Sequence, residues 1–390
     1  MKNFVIIGSG FSAINLAIQL AEKFKCSSFY KVYLVSEQNY LTYKPLLVRF
    51  SFEYKDPKKY KNLIALPILE IIKDKKIKFI HKNISRIDFS KKRIRFQDKS
   101  KIEYTKLIYA LESEISISDT PGVKEYANFV HDLNDCVSTN QAFNKTIKAN
   151  NSEYKVVVVG AGISGIESVN MAHTRLNSYF AQKDPSFHIT LIEQFDILKD
   201  FSKKIAERIY NKLESKNIQI IQNKKIKRVY RHCVQYNDGK IQEYDLLIWA
   251  GGVQAHKIFK DSKFVKDQNN FLLTNDNFQM LKQTDVYAIG DSRSKDMPRT
   301  IAQNIHESNL LANNIYREVM HEKLDKLSDE KIVFTDLGSS VIAINNGQVY
   351  NSFRTFWAKN FQELIILNIF LPPLQAVSLW FQILKIYLNK

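Results

Sequence analysis

Short, wholly apolar runs alternate along this chain with stretches in which apolar residues return every three or four positions. Phe4-Val5-Ile6-Ile7 is an unbroken apolar run that stops at Gly8, the positions from Phe11 to Phe24 carry apolar residues at helical spacing, and Val32 to Val35 form a second short run. This order predicts a strand, a glycine turn, a helix and a second strand parallel to the first, because parallel neighbours need a crossover between them. From Ile77 to Ala110 the pattern changes to short alternating strands broken at Lys82-Asn83, Ser90-Lys91-Lys92 and Asp98-Lys99-Ser100, which read as hairpin turns. The sequence then repeats itself: Lys155 to Val159 runs into Gly160, a helical stretch reaches about Phe180, Ile189 to Ile192 is the next buried strand, and a second set of short strands spans Ile218 to Trp249. Two such openings, each followed by a meander, imply an internal duplication. The end differs, since Leu364 to Leu384 holds no charged residue and is interrupted by Pro372-Pro373.

At 390 residues the chain suits two packed domains and an appendage. The fold class expected from the pattern is α/β, with two Rossmann-like β-α-β modules and a distinct C-terminal helical segment. A formal net charge of +17 exceeds what small neutral substrates require. The basic residues lie in short runs such as Lys55 to Lys61, Lys73 to Lys78 and Lys224 to Arg228 with acids between them, so they read as solvated faces and a diffuse positive field suited to an anionic membrane surface, with no nucleic acid as partner. Cys26, Cys136 and Cys233 lie far apart and form no Cys-x-x-Cys pair; a reducing compartment fits, with Cys136 expected in a surface helix. Met1 and Lys2 lead directly into the first strand, which leaves no room for a signal peptide. No metal site is expected.

The first turn, Gly8-Ser9-Gly10-Phe11-Ser12-Ala13, has the form G-x-G-x-x-A. Gly8 permits the tight turn, Gly10 lets backbone approach a pyrophosphate, and Ala13 allows close helix–strand packing. The pyrophosphate is expected at the helix N-terminus, where free N–H groups and the helix dipole favour negative charge, and Glu37 past the second strand is placed to bind a ribose. The second turn, Gly160-Ala161-Gly162-Ile163-Ser164-Gly165, is the full G-x-G-x-x-G, and Glu193 follows its next strand. A carboxylate there bonds a free ribose diol and repels a 2′-phosphate, which predicts NADH over NADPH. A third element, Thr284 to Asp291, is a short apolar strand ending in Gly-Asp.

These three elements, in this order, resemble the flavoproteins with two dinucleotide-binding domains. Finer matches make the chain similar to type II NADH:quinone oxidoreductases: Asn39-Tyr40 with Pro45-Leu46-Leu47, Pro121-Gly122-Val123-Lys124-Glu125, Trp249-Ala250-Gly251-Gly252-Val253, Thr300 to Glu307, and Asp336-Leu337-Gly338-Ser339. The resemblance implies an FAD-binding domain at 1–115 and 285–330, an NADH-binding domain at 150–284 and a C-terminal strand and anchor region at 331–390. It implies FAD held by Gly8, Gly10, Ala13, Glu37, Ile84, Ala110, Gly290, Asp291 and Gln303, and NADH held by Gly160, Gly162, Gly165, Glu167, Glu193 and Gly251. NADH then reduces the flavin, which passes electrons to a membrane quinone near Gln303 and Glu307, without ion pumping.

Three departures stand out: Ala110-Leu111-Glu112 where the family has a glycine in third place, Glu307 where it has Gln, and Ile305 where it has Ala. Gln303 and Glu307, four apart on a helix, share a face, and Glu307 is expected to sit partly desolvated beside the quinone and to deliver its proton. The tail, with Phe356, Trp357, Phe361, Trp380, Phe381 and Tyr387 and flanking Lys359 and Lys385, is expected as a helical hairpin in the membrane interface, making the protein monotopic on the cytoplasmic face; a buried C-terminal helix is the alternative. A soluble NADH reductase of another acceptor, a sulfide:quinone oxidoreductase and a low-turnover flavin-binding redox-responsive membrane protein remain rivals, and a homodimer is left open.

Overall fold

Alternation along one strand shows how this chain builds its layers. The structure is a computed structural model that describes residues 1–53, 61–117, 120–149, 153–181, 186–199, 203–260, 262–294, 299–326, 332–336, 341–345, 348–350 and 353–388, by backbone alone at 53, in the strands from 332 to 350, and at 353–358, 361 and 386–388. Most of the Lys55 to Lys61 run, Leu337 to Ser339, and the side chains of Phe356, Trp357, Phe361 and Tyr387 lie outside this set.

The first module opens with β1 (Lys2–Ile7), α1 (Phe11–Lys23), β2 (Tyr30–Ser36) and β3 (Ile77–His81), and after an antiparallel three-stranded meander (Ile84–Asp88, Arg93–Phe96, Lys101–Glu103) adds β4 (Lys106–Tyr109). A two-residue strand, β5 (Glu114–Ile115), leads to α2 (Leu133–Ala149). The second module repeats the plan with β6 (Tyr154–Val159), α3 (Ile163–Phe180), β7 (Phe187–Ile192), β8 (Ile218–Ile221), its own meander and β9 (Leu246–Trp249). The chain returns through β10 (Val253–Gln254) to β11 (Val286–Ala288) and α4 (Ile301–Val319). The two parallel sheets run in the orders β11-β4-β1-β2-β3 and β8-β7-β6-β9.

In β1, Phe4 and Ile6 face a core built with α1 while Val5 and Ile7 face a second core under the meander. In β6, Val156 and Val158 join that same first core, while Val157 and Val159 face a third core of their own. The helix layers of the two modules therefore share one apolar core, and each sheet is capped on its outer side separately. Strands buried on both faces read as unbroken apolar runs, which is why these were the clearest signals in the sequence.

The module boundaries move relative to expectation. Val123, Ala127 and Phe129 pack with the outer core of the second sheet, so this unit begins ahead of residue 150. Ala255, Phe259, Phe271, Leu272 and Met280 pack with Val5, Leu107 and Val286, so residues after 254 already belong to the first module. Cys136, expected at the surface, is fully buried in α2 because that helix turns Cys136, Phe143 and Ile147 into the shared core.

The tail forms α5 (Phe353–Phe370) and α6 (Pro373–Leu388), separated at Leu371-Pro372 because proline cannot continue a helix through its missing N–H. Phe370 packs edge-on against Phe11 at 5.3 Å, and Trp380 Nε1 donates to the Asn360 carbonyl at 2.7 Å. One face, including Leu367, Leu379 and Ile383, is buried in the shared core, while Ile365, Leu374 and Phe381 are exposed by 63%, 87% and 51%. Among the described residues no helix is long and apolar enough to cross a membrane.

The third glycine of the second turn tests the packing of α3 on β6. A Cβ on Gly165 would fall 1.8 Å from the Gly160 carbonyl oxygen, whereas one on Gly162 would meet nothing within 4 Å. Gly165→Ala is expected to lower unfolding free energy by about 2–4 kcal/mol, since backbone cannot yield as a side chain can, and Gly162→Ala to change it by less than about 0.5 kcal/mol. Urea unfolding of the two variants checks the contrast.

Candidate functional site

The two glycine turns superpose in their local chemistry. Gly8 (φ +141°) and Gly160 (φ +99°) each sit with the position of an absent Cβ 2.2 Å from a carbonyl oxygen, that of Ala110 and of Ala250 respectively. Only glycine tolerates that backbone and that contact. Each turn delivers the chain into a helix whose N-cap, Gly10 or Gly162, makes no side-chain capping bond, so the first N–H groups of α1 and α3 are left to an external acceptor. Ala13 is buried against Gly8, as the form G-x-G-x-x-A requires.

In the second module the cradle opens onto a cavity of about 260 Å³ lined by Gly160, Gly162, Glu193, Lys199, Lys225 and Gly251. Glu193 stands at the end of β7 as expected, with its carboxylate accepting from the backbone N–H groups of Ala161 (2.6 Å) and Phe195 (3.1 Å). Those bonds aim the carboxylate across the glycine turn and leave lone pairs for a hydroxyl. Glu167 is half-buried on the second turn of α3. The lysines around the cavity, Lys199, Lys224 and Lys225, are residues that the glycine pattern did not single out.

In the first module Glu37 lies exposed beyond β2, while Ile84 packs on the outer core under the meander. Here the space above Gly10 is taken: an added Cβ would come within 2.8 Å of Glu112 Oε1. Lys44 Nζ lies 3.5 Å from that carboxylate and 3.9 Å from Asp291. Burial lowers the lysine's pKa, yet Glu112 and Asp291 outweigh it and the net direction is upward. Close by, His131 Nε2 lies 2.7 Å from the Ser113 carbonyl, which can only accept, so this nitrogen carries the proton; burial and then Lys44 hold the imidazole below its ordinary pKa. Lys44 was absent from the sequence reading although it directly precedes the Pro45-Leu46-Leu47 segment.

The third element brings Gly290-Asp291 onto the same cradle. Gly290 has φ +61°, and a Cβ there would fall 2.3 Å from Ser12 Oγ on the first turn of α1. Asp291 is buried and accepts from Ser113 Oγ (3.1 Å) and Asn304 Nδ2 (3.4 Å). Behind this turn stands Glu307, with no exposed surface: it accepts from Gly290 N (2.7 Å), from Arg293 (3.1 Å) and from Gln303 Nε2 (3.3 Å). Gln303 and Glu307 do share a face of α4, but that face points at the Gly290 turn. Glu307, expected partly desolvated, is instead fully buried behind the turn, with Arg293 as its countercharge and a backbone N–H on its second oxygen. The sequence signal for it, an arginine two residues after the Gly-Asp pair, went unread.

With this geometry in hand, the donor set fits two dinucleotides: two uncapped helix N-termini behind glycine turns, each followed by a carboxylate at the end of the next strand, with Asp291 adjoining the first. A sequence profile described as pyridine nucleotide-disulphide oxidoreductase matches residues 2–308. The chain is similar to the external alternative NAD(P)H-ubiquinone oxidoreductase B4, mitochondrial, of Arabidopsis thaliana, at 25% identity over 77% of this chain and 56% of that protein. It thus spans little more than half the length of several curated relatives that it matches. Among solved structures, NDH2 of Plasmodium falciparum in complex with NADH superposes with a TM-score of 0.79 at 17% identity, covering 97% of both chains. The sulfide:quinone oxidoreductase of Aquifex aeolicus gives 0.82 at 16% identity, covering 95% of this chain and 91% of that one.

The buried clasp on the Gly290 turn predicts a graded response. Glu307→Ala leaves Arg293 and the Gly290 N–H unpaired and is expected to destabilise the fold by about 3–5 kcal/mol. Glu307→Gln keeps an oxygen for the N–H and is expected to cost about half of that. Chemical unfolding of both variants measures the two losses, and equal small losses would mean that Glu307 does not brace the turn.

Proposed function

The chain belongs to the pyridine nucleotide-disulphide oxidoreductase family, and from that premise we propose that it is a type II NADH:quinone oxidoreductase with FAD in the first module and NADH in the second. The observation that carries this reading is the pair of like cradles on modules that share one core, the second one open as a cavity at Gly162 and Glu193. When bound, FAD supplies the redox chemistry, taking a hydride from NADH and passing electrons to a quinone.

The residues have separate tasks in this scheme. The free N–H groups of α1 and α3 neutralise diphosphates, Glu37 and Glu193 receive ribose hydroxyls, and Asp291, fixed by Ser113 and Asn304, orients the flavin nucleotide. Gln303 and Glu307 act behind the Asp291 turn and hold it in place. All three cysteines are free, and burial drives the Cys136 thiol far above its ordinary pKa, so a cysteine pair and a reactive Cys136, which would favour the sulfide reading, do not support it.

The acceptor side is the tail. Ile365, Leu374 and Phe381 present apolar surface on the outside of the helical hairpin, and the chain carries a net charge of +17, which together suit a peripheral position on an anionic membrane, on its cytoplasmic face, where a quinone dissolves.

Two experiments test the proposal. Stopped-flow mixing of the flavin-loaded protein with NADH should bleach the flavin absorbance, and a short-chain quinone should restore it. NADPH should act at least about tenfold less efficiently, with Glu193→Gln narrowing the gap; bleaching without reoxidation by quinone removes the quinone assignment, and equal use of the two donors removes the role of Glu193. Separately, Leu374→Glu with Phe381→Glu should weaken cosedimentation with anionic vesicles by about tenfold or more, given about 1.5–3 kcal/mol for each large apolar side chain. Unchanged sedimentation would place the membrane contact elsewhere.

A further inference from the structure

The internal duplication supplies its own control for the first cradle. Because Gly8 abuts Ala110 and Gly160 abuts Ala250 at the same 2.2 Å distance, the segments after these alanines correspond: Leu111-Glu112 in the first module stands where Gly251-Gly252 stands in the second. The second copy thus leaves its cradle clear, with nothing within 4 Å of a Cβ on Gly162, whereas in the first copy Glu112 places Oε1 at 2.8 Å and Cγ at 3.0 Å from a Cβ on Gly10. The Glu112 carboxylate thus stands over Gly10, the N-cap of the helix whose N-terminus suits a phosphate. Its setting is that of a held anion, with Lys44 at 3.5 Å as the cation and Asp291 at 3.9 Å sharing the same lysine.

We propose that Glu112 is a resident anion in the FAD pyrophosphate cradle, which the cofactor must displace, so that this one side chain sets how tightly FAD is held. The inference rests on the reading of the first module as the FAD site. Two like charges cannot share one helix N-terminus and one lysine without mutual repulsion, so binding requires the carboxylate to turn away from Gly10. The displacement is feasible, since the Glu112 side chain is 30% exposed and bonded to Lys44 rather than to buried backbone. Once Glu112 has turned, Lys44 is left beside Asp291. FAD should therefore exchange more readily from this chain than from a protein with glycine at this place.

The test uses the full-length protein stripped of flavin, titrated with FAD by quenching of flavin fluorescence, in the parent, Glu112→Gln and Glu112→Gly. The expected result is about tenfold tighter binding for Glu112→Gln, which removes the charge, and a further gain for Glu112→Gly, which also clears the volume. The rate of FAD release should fall in parallel. Urea midpoints of the stripped proteins, together with NADH binding at the second module, establish that each variant is folded. Equal affinity in all three proteins overturns the proposal while leaving the FAD assignment intact. Weaker binding by Glu112→Gln overturns it also, by showing that the carboxylate helps to bind the cofactor. Failure of all three folded proteins to bind FAD removes the FAD reading, and this inference with it.

Discussion

Both modules depend on one close approach, that of a helix N-terminus to the carboxyl ends of parallel strands. At Gly8 and Gly160 the backbone passes so near a neighbouring carbonyl that a single carbon would collide at 2.2 Å, and at Gly165 the helix itself comes as near to the turn. The helix therefore starts directly over the sheet, its first N–H groups point across the strand ends, and the partial positive charge of its dipole is concentrated where no side chain caps it. Everything else at the site is arranged around these two points: the acids at the ends of the second strands, the lysines beside the cavity, and the third strand that carries Asp291. A bulkier residue in the turn would push the helix outward and remove the cradle together with the packing.

The Gly290 turn depends on the same constraint from the other side. Gly290 has no side chain because Ser12, on the first turn of α1, fills that space, so Asp291 is fixed relative to the cradle by direct contact. Helix α4 then holds the turn from behind through Glu307 and Gln303, Glu307 also receiving Arg293 from the turn, and α4 is itself fastened to α1 through Asn15, whose amide donates to Ser308 and Asn309 at 2.7 Å each. A charge pair so deeply buried is a weak source of net stability but a strong source of register, because breaking it leaves one charge alone. Its position puts two polar residues that follow Asp291 closely in sequence against the Gly290 turn itself.

Sequence revealed what depends on local pattern. The strands of both parallel sheets and the helices after each glycine turn were legible because full burial makes an apolar run and one-sided burial makes a 3.6-residue period. The duplication was legible for the same reason. Residues that meet only through tertiary packing were not: nothing near Glu307 announces that Arg293 will neutralise it, and nothing near Gly10 announces that Glu112, over a hundred residues away, will lie above it. Module boundaries failed in a related way. The segment around Phe259 to Met280 lacks long strands, so its side chains, and not its periodicity, decide that it packs under the first sheet. Cys136 was misplaced because a helix with a weak apolar stripe can still direct one thiol into the core.

The link between the modules follows from the duplicated turns as well. The chain leaves the first sheet just after Ala110 and the second just after Ala250, the two residues whose carbonyls press on the glycine turns. Within a few residues of each, β5 and β10 pair antiparallel, Glu114 with Gln254 and Ile115 with Val253, and Trp249 Nε1 donates to the Ser116 carbonyl at 3.2 Å. The crossing segments are thus short, paired and anchored at the cradles themselves. A long or unpaired crossover would let two rigid modules drift while each kept its own fold. Here the peptide planes that shape the binding turns also begin the connections, so the spacing of one cradle from the other is set by a few backbone hydrogen bonds and the shared helical core. In this chain the constraint that makes each cradle is also what joins them.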